Sequence, residues 1–256
     1  MPISPVATEI REVQLSNLLQ QTCFLLAKPL HTSRPYPNLP YIASANNENP
    51  NPAELRTDIF YVTTLDYSFA TFSAVKGSGQ LWRVDMTGYP QSSLVTLVAD
   101  LSNPTQPNGV IAVPGSTKIL VADYVQGVVW RVDVNSGAVN SSALAASGVN
   151  GIHAPGNGYL YFSNTGASSC DDFALYPGVS STAAFLMDGG SNRVVFIPGN
   201  GNLFTTIANI SCPTAAAFGK CSGDQNSLYV SSTGGDQGYA DNPVLVGRRL
   251  TKMVIA

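Results

Sequence analysis

Charge is what this chain has least of. Charged residues make up 11 % of its 256, against roughly a quarter in an ordinary soluble protein. The net charge is −3 and no lysine or arginine cluster occurs. The electrostatic footprint of a nucleic-acid binder is therefore missing, and no nucleic-acid partner is expected. No apolar run approaches the ~20 residues that span a bilayer as a helix, so no membrane span is expected either. The four cysteines, Cys23, Cys170, Cys212 and Cys221, show no C-x-x-C spacing, and only two histidines accompany them. That argues against a zinc site, although Cys212 and Cys221 are near enough to close a small loop. No G-x-S-x-G elbow is present and His31 and His153 are the only imidazoles, so a Ser-His-Asp triad is not expected. The opening residues carry Glu9, Arg11 and Glu12 where a signal peptide needs an apolar core. A cytoplasmic protein is the expectation from that segment, while the sequons at Asn140 and Asn209 would suit secreted relatives.

What the chain has in plenty is turn chemistry. Its 23 glycines and 17 prolines suit many short strands joined by tight turns better than long helices. The chain also repeats itself. Gln80-Leu81-Trp82-Arg83-Val84-Asp85 and Val128-Val129-Trp130-Arg131-Val132-Asp133 end alike, with their tryptophans 48 residues apart. Each follows a β-branched and aromatic run, Asp58 to Thr63 and Lys118 to Asp123. Further copies begin at Gly158-Tyr159-Leu160-Tyr161 and Ser227-Leu228-Tyr229-Val230. A period of 40 to 48 residues holding several strands, with no 3.6-residue apolar stripe, is the signature of propeller blades. The predicted fold class is an all-β, incomplete β-propeller over residues 58–256, preceded by an irregular segment, 1–57, with no blade pattern.

The blade openings mark a gap. Asn108-Gly109 and Asn150-Gly151 are 42 residues apart, and Asp172 and Thr214 are again 42 apart, but Asp171-Asp172 follows Asn150 after only 21 or 22. About half a blade is missing between Asn164 and Cys170, and a whole first blade is not recognisable.

The strings Asn108-Gly109, Trp130-Arg131-Val132-Asp133, Asn150-Gly151, Cys170-Asp171-Asp172-Phe173-Ala174-Leu175 and Pro213-Thr214-Ala215-Ala216-Ala217-Phe218-Gly219 resemble blade-opening motifs of the fungal branch of the senescence-marker-protein/gluconolactonase family. That family is one of six-bladed propellers, many of them lactonases or esterases holding a divalent cation in the channel. The resemblance implies Asn108, Asn150 and Asp171 or Asp172 as ligands for Ca²⁺ or Mg²⁺, whose taste is for oxygen. The family's glutamate ligand has no match, since Glu9, Glu12, Glu48 and Glu54 lie where no first blade is recognisable. An Asn-Gly pair is also an ordinary turn dipeptide.

Tyr67-Ser68-Phe69-Ala70-Thr71 ahead of Trp82 is similar to a stretch in the fungal hetero-Diels–Alderases of this family, which join a quinone methide to a terpene alkene. This second resemblance implies a cyclase of secondary metabolism that takes a small apolar metabolite and needs no cofactor. Tyr67, Tyr124 and His153 are its candidate catalytic donors, and Asn108, Asn150 and Asp172 its substrate-binding residues. A metal-dependent lactonase and a non-catalytic binding propeller are the alternatives.

Overall fold

The computed structural model describes residues 10–14, 53–68, 73–89, 91–155, 159–165, 170–177, 183–199, 204–220, 223–234 and 249–255. Strand β1 (Ile10–Gln14) is followed by β2 (Ala53–Arg56), β3 (Ile59–Thr64), the short pair β4 (Tyr67–Ser68) and β5 (Ser73–Ala74), then β6 (Gly79–Asp85) and β7 (Leu94–Leu101). Strands β2-β3-β6-β7 form one four-stranded sheet in that order. The next is made by β8 (Pro107–Ala112), β9 (Lys118–Asp123), β10 (Val128–Asp133) and β11 (Val139–Ala145). After β12 (Val149–His153) and β13 (Tyr159–Asn164), which share a sheet with β1, comes a third four-stranded sheet. It consists of β14 (Cys170–Leu175), β15 (Ala184–Asp188), β16 (Arg193–Ile197) and β17 (Thr205–Asn209). The last sheet has β18 (Pro213–Phe218), β19 (Ser227–Ser232) and β20 (Arg249–Val254).

Every pairing whose register is defined is antiparallel between sequence-adjacent strands of a sheet. Among the described residues there is no helix. The protein is an all-β chain of propeller blades, each an up-and-down meander. It divides into two compact units, residues 12–161 and residues 1–11 with 162–256.

The repeated tryptophans occupy equivalent places. Trp82 lies on the third strand of its blade opposite Val62, and Trp130 on the third strand of the next opposite Val121. Each indole N–H then reaches a side chain two residues beyond that partner, at the end of the second strand. Trp82 donates to Thr64 Oγ1 at 3.1 Å and Trp130 to Asp123 Oδ2 at 3.2 Å. The aspartates ending these third strands are equivalent as well. Asp85 accepts the N–H of Thr87, and Asp133 those of Asn135 and Ser136, closing the turn into the fourth strand. Alternation along the strands sends Leu81, Val121, Trp130 and Val132 into one apolar cluster with Leu101, Val110 and Ile119, the period-2 pattern of half-buried strands. In the other unit Phe185, Met187, Val194, Leu228 and Val230 form a second cluster. There the rings of Phe185 and Phe218 meet edge to face, centroids 5.4 Å apart.

Two features differ from the sequence reading. The first described blade begins at Ala53, ahead of residue 58, because β2 buries Ala53 and pairs it with Tyr61. Cys212 is a buried thiol rather than half of a disulfide, and Cys221 lies outside the described residues, as do 1–9 and 15–52 of the N-terminal segment. Where the spacing predicted a half-blade gap, the β12–β13 sheet holds three described strands, β1 being the third. β12 and β13 are followed, after five residues, by the inner strand β14 of the next blade.

Candidate functional site

Three inner strands break register at their opening residues. In β8, Pro107 pairs with Asp123 and Val110 with Val121, so Asn108-Gly109 is bulged. In β14 the break falls between Cys170 and Phe173, at Asp171-Asp172, and in β18 between Pro213 and Ala215, at Thr214. A bulge bends the strand and re-aims its side chains. Asn108-Gly109, Asp171-Asp172 and Thr214, all singled out by spacing, thus coincide with register breaks, and β2 breaks as well, between Glu54 and Arg56.

Asn108-Gly109 is not a turn. Gly109 is needed because the inner strand of the next blade passes against it. A Cβ built there would lie 2.3 Å from the carbonyl oxygen of Asn150 and 3.1 Å from the Cα of Gly151. Only glycine tolerates that approach. The two Asn-Gly pairs, 42 residues apart in sequence, are therefore brought side by side within one compact unit. Asn108 is half-buried and Asn150 buried, with its Oδ1 out of reach of solvent. The Thr63 hydroxyl donates a long bond of 3.5 Å to the Asn108 carbonyl, placing the end of β3 at the same opening.

Tyr124 follows directly on Asp123, the residue paired with Pro107, so it shares the opening end of its blade with Asn108. It is half-buried, and its backbone N–H donates to the Gln106 carbonyl at 3.2 Å. The backbone of Tyr67 pairs with Ala74 in the β4–β5 hairpin, and its side chain is outside the described set. His153 is the last residue of β12 and half-buried. Three positions beyond Asn150, it falls on the other face of the strand by simple alternation. Asp171 and Asp172 belong to the second unit, where Asp172 is buried and the Ser163 hydroxyl donates to the Asp171 carbonyl at 2.6 Å. Cys170, beside them, is a buried thiol whose pKa is pushed well above its ordinary value, first by burial and then by the nearby carboxylates of Asp171, Asp172 and Asp188.

Asp123 was not singled out by the sequence, yet it organises this opening. Fully buried, it accepts four N–H donors. They are the backbone of Thr105 at 2.7 Å, Gln106 at 3.2 Å and Gln126 at 3.1 Å, together with the Trp130 indole. It ties the segment leading into Asn108 to the turn carrying Tyr124. Asp188 closes its own second strand in the same way, accepting the Ser191 N–H at 3.2 Å and Arg193 Nε at 2.8 Å. The sequence signal was a polar residue recurring at the end of each blade's second strand: Thr64, Asp123, Asn164, Asp188 and Ser232.

The residues fit the implied cation only in part. Two amides stand together in one unit and two carboxylates in the other. Glu54, buried on β2, spends Oε1 on the Asp58 N–H at 3.0 Å in the β2–β3 turn, at the end of the blade away from the openings. Among the described residues no three His, Cys, Asp or Glu side chains cluster.

No family model and no curated protein match the chain. Among solved structures it is similar to a luciferin-regenerating enzyme, with 13 % identity, a TM-score of 0.45, and coverage of 84 % of this chain and 64 % of that one. A catalytically inactive virginiamycin B lyase from Staphylococcus aureus with quinupristin is similar at 11 % identity and a TM-score of 0.48, over 96 % and 74 % of the two chains. A calcium-binding regucalcin from Agrobacterium tumefaciens is similar at 17 % identity and a TM-score of 0.40, over 82 % and 62 %. The chain thus spans about two thirds to three quarters of the length of these structures. At such identities and scores none of their activities, substrates or ions is carried over to this propeller.

Proposed function

We propose that this propeller is a small-molecule enzyme working at its blade openings, and that its reaction is a hetero-Diels–Alder cyclisation joining a quinone methide to a terpene alkene. The observation that carries the reading is the pairing of Asn108-Gly109 with Asn150-Gly151 across the Gly109–Asn150 contact, with Tyr124 at the same end of the blade. This gives hydrogen-bond donors mounted on inner strands rather than a nucleophile with its base. A cycloaddition needs that kind of site. The new C–C and C–O bonds form from the π electrons of diene and alkene, no proton is transferred in the ring-forming step, and holding the partners in near-attack geometry removes much of the barrier. A donor to the quinone-methide oxygen further lowers the barrier by stabilising the charge that builds there. Tyr124 and the amides of Asn108 and Asn150 are the donors assigned to that role, with Tyr67 and His153 as further candidates.

No step is routed through a cation, because the amide pair alone falls short of the six to eight oxygens such an ion takes. The test is turnover of a tropolone-type quinone-methide precursor with a humulene-type alkene, with and without EDTA, against an enzyme-free control. We expect an enantioselective dihydropyran whose rate EDTA leaves unchanged. Replacing Tyr124 by Phe should slow it about tenfold, the worth of one hydrogen bond. Metal-dependent turnover of aryl esters or lactones, with no effect on the cycloaddition, would replace this reading by the hydrolase.

A further inference from the structure

The same unit carries an open groove of about 810 Å³, within the range of small-molecule sites. Four polar side chains on it, Lys76, Ser102, Asn103 and Asn140, have no side-chain hydrogen bond or ion pair among the described residues. Lys76 is the one charged group in the lining, and no carboxylate lines the groove.

The mounts of these groups are fixed although their ends are not. Lys76 sits on a turn closed by the Ser78 N–H donating to the Val75 carbonyl at 3.1 Å, with Gly77 at φ +82 taking the strained corner. The Ser102-to-Thr105 segment is pinned by Gln126. Its Nε2 donates to the Asn103 carbonyl at 2.7 Å and to Thr105 Oγ1 at 2.8 Å, so both of its amide protons are used inside the protein. Trp130, itself buried in the apolar cluster, and Val139 complete the lining. The Trp130 N–H is turned to Asp123, whose charge is already met by backbone donors.

We infer that this groove binds a small hydroxylated carboxylate, of the uronic-acid type. One ammonium in a lining without a carboxylate calls for a single negative charge. Two amides and a hydroxyl offer both donors and acceptors, which suits vicinal hydroxyl groups. A lone lysine without arginine or a nest of backbone N–H groups favours a carboxylate over a phosphate, which is better met by several such donors.

The test uses the full chain and D-glucuronate as probe, read by the indole N–H resonance of Trp130, with methyl glucoside as the neutral counterpart and inorganic phosphate as the competing anion. We expect a saturable millimolar shift at Trp130 and not at Trp82, with methyl glucoside binding at least tenfold more weakly. Lys76→Met should weaken glucuronate about tenfold, the loss of one charge-assisted bond. Gln126→Ala should weaken it by releasing the wall without changing charge. Because Lys76 is exposed, the first variant should unfold as the wild type does. Equal binding of methyl glucoside, wild-type affinity in Lys76→Met, displacement by equimolar phosphate, or no saturable shift at Trp130 would each overturn the proposal.

Discussion

Removing the Asp123 carboxylate is the sharpest perturbation available to this fold. Asp123→Ala strands one buried donor, the Trp130 indole, and three part-buried ones, the N–H groups of Thr105, Gln106 and Gln126. A buried donor left without an acceptor costs about 1–3 kcal/mol. The simple sum overshoots, because the three part-buried N–H groups can turn to water and the variant no longer has to desolvate a carboxylate. About 3–5 kcal/mol is therefore expected. The rotational counterpart calibrates it: Thr64 accepts the Trp82 indole alone of that set of bonds, so Thr64→Val should cost about 1 kcal/mol. Urea unfolding followed by tryptophan fluorescence suits the comparison, since both tryptophans lie within residues 12–161 and the signal reports that unit. With a slope of about 1–3 kcal/mol per molar urea, the Asp123→Ala midpoint should fall by at least about 1 M and the Thr64→Val midpoint by much less. Losses within about 1 kcal/mol of each other would refute the view that Asp123 clasps the blade opening.

Gly109→Ala should cost about 2–3 kcal/mol and abolish turnover, because its Cβ meets the Asn150 carbonyl, which is backbone. Gly88→Ala should be nearly silent in the same urea assay, because its nearest obstacle is the Ser92 hydroxyl, which can rotate away. The carboxyls of Asp85 and Asp133 are both held below the ordinary 3.8, Asp85 mainly by the Thr87 hydroxyl and N–H, and Asp133 mainly by Lys118. A carboxyl depressed on folding stabilises fully above its unfolded value and loses that stabilisation as pH falls through its folded one. The double variant Asp85→Asn/Asp133→Asn should thus flatten the loss of urea midpoint below about pH 4, and an unchanged acid limb would contradict the assignment. Cys170, buried with a raised pKa, should escape iodoacetamide at pH 8 in the native protein, as mass spectrometry would show, and react once urea opens the fold.

The repeat was legible because its markers are large or rare. Trp82 and Trp130 stand in near-identical strings, and the structure puts both on third strands with matching indole bonds. The Asn-Gly spacing located two inner strands correctly, but a pair of residue types cannot distinguish a turn from a bulge. What decides is the backbone of a strand 42 residues away. Strand β2 was missed because Pro52 and the asparagines before it read as loop, and its four residues are held by pairing to β3 rather than by their own propensity. Asp123 was passed over as the end of a strand, since nothing local announces three backbone donors from two separate loops and an indole from the next strand.

The antiparallel meander sets what could be removed from this architecture without disturbing the rest. In the intact neighbour, Val128 at the start of the third strand pairs with Ala145 at the end of the fourth, so those two strands begin and finish at the same end. Cutting out such a hairpin leaves two chain ends close enough to be joined by a few residues. Between β13 and β14, five residues separate Asn164 from Cys170, and the Thr165 hydroxyl donates to the Cys170 carbonyl at 2.5 Å. Losing two strands also keeps every later strand running in its original direction, whereas losing one would reverse them all and turn each following sheet inside out. Length variation in such a chain should therefore come in even numbers of strands, with the polarity of the openings preserved through each deletion.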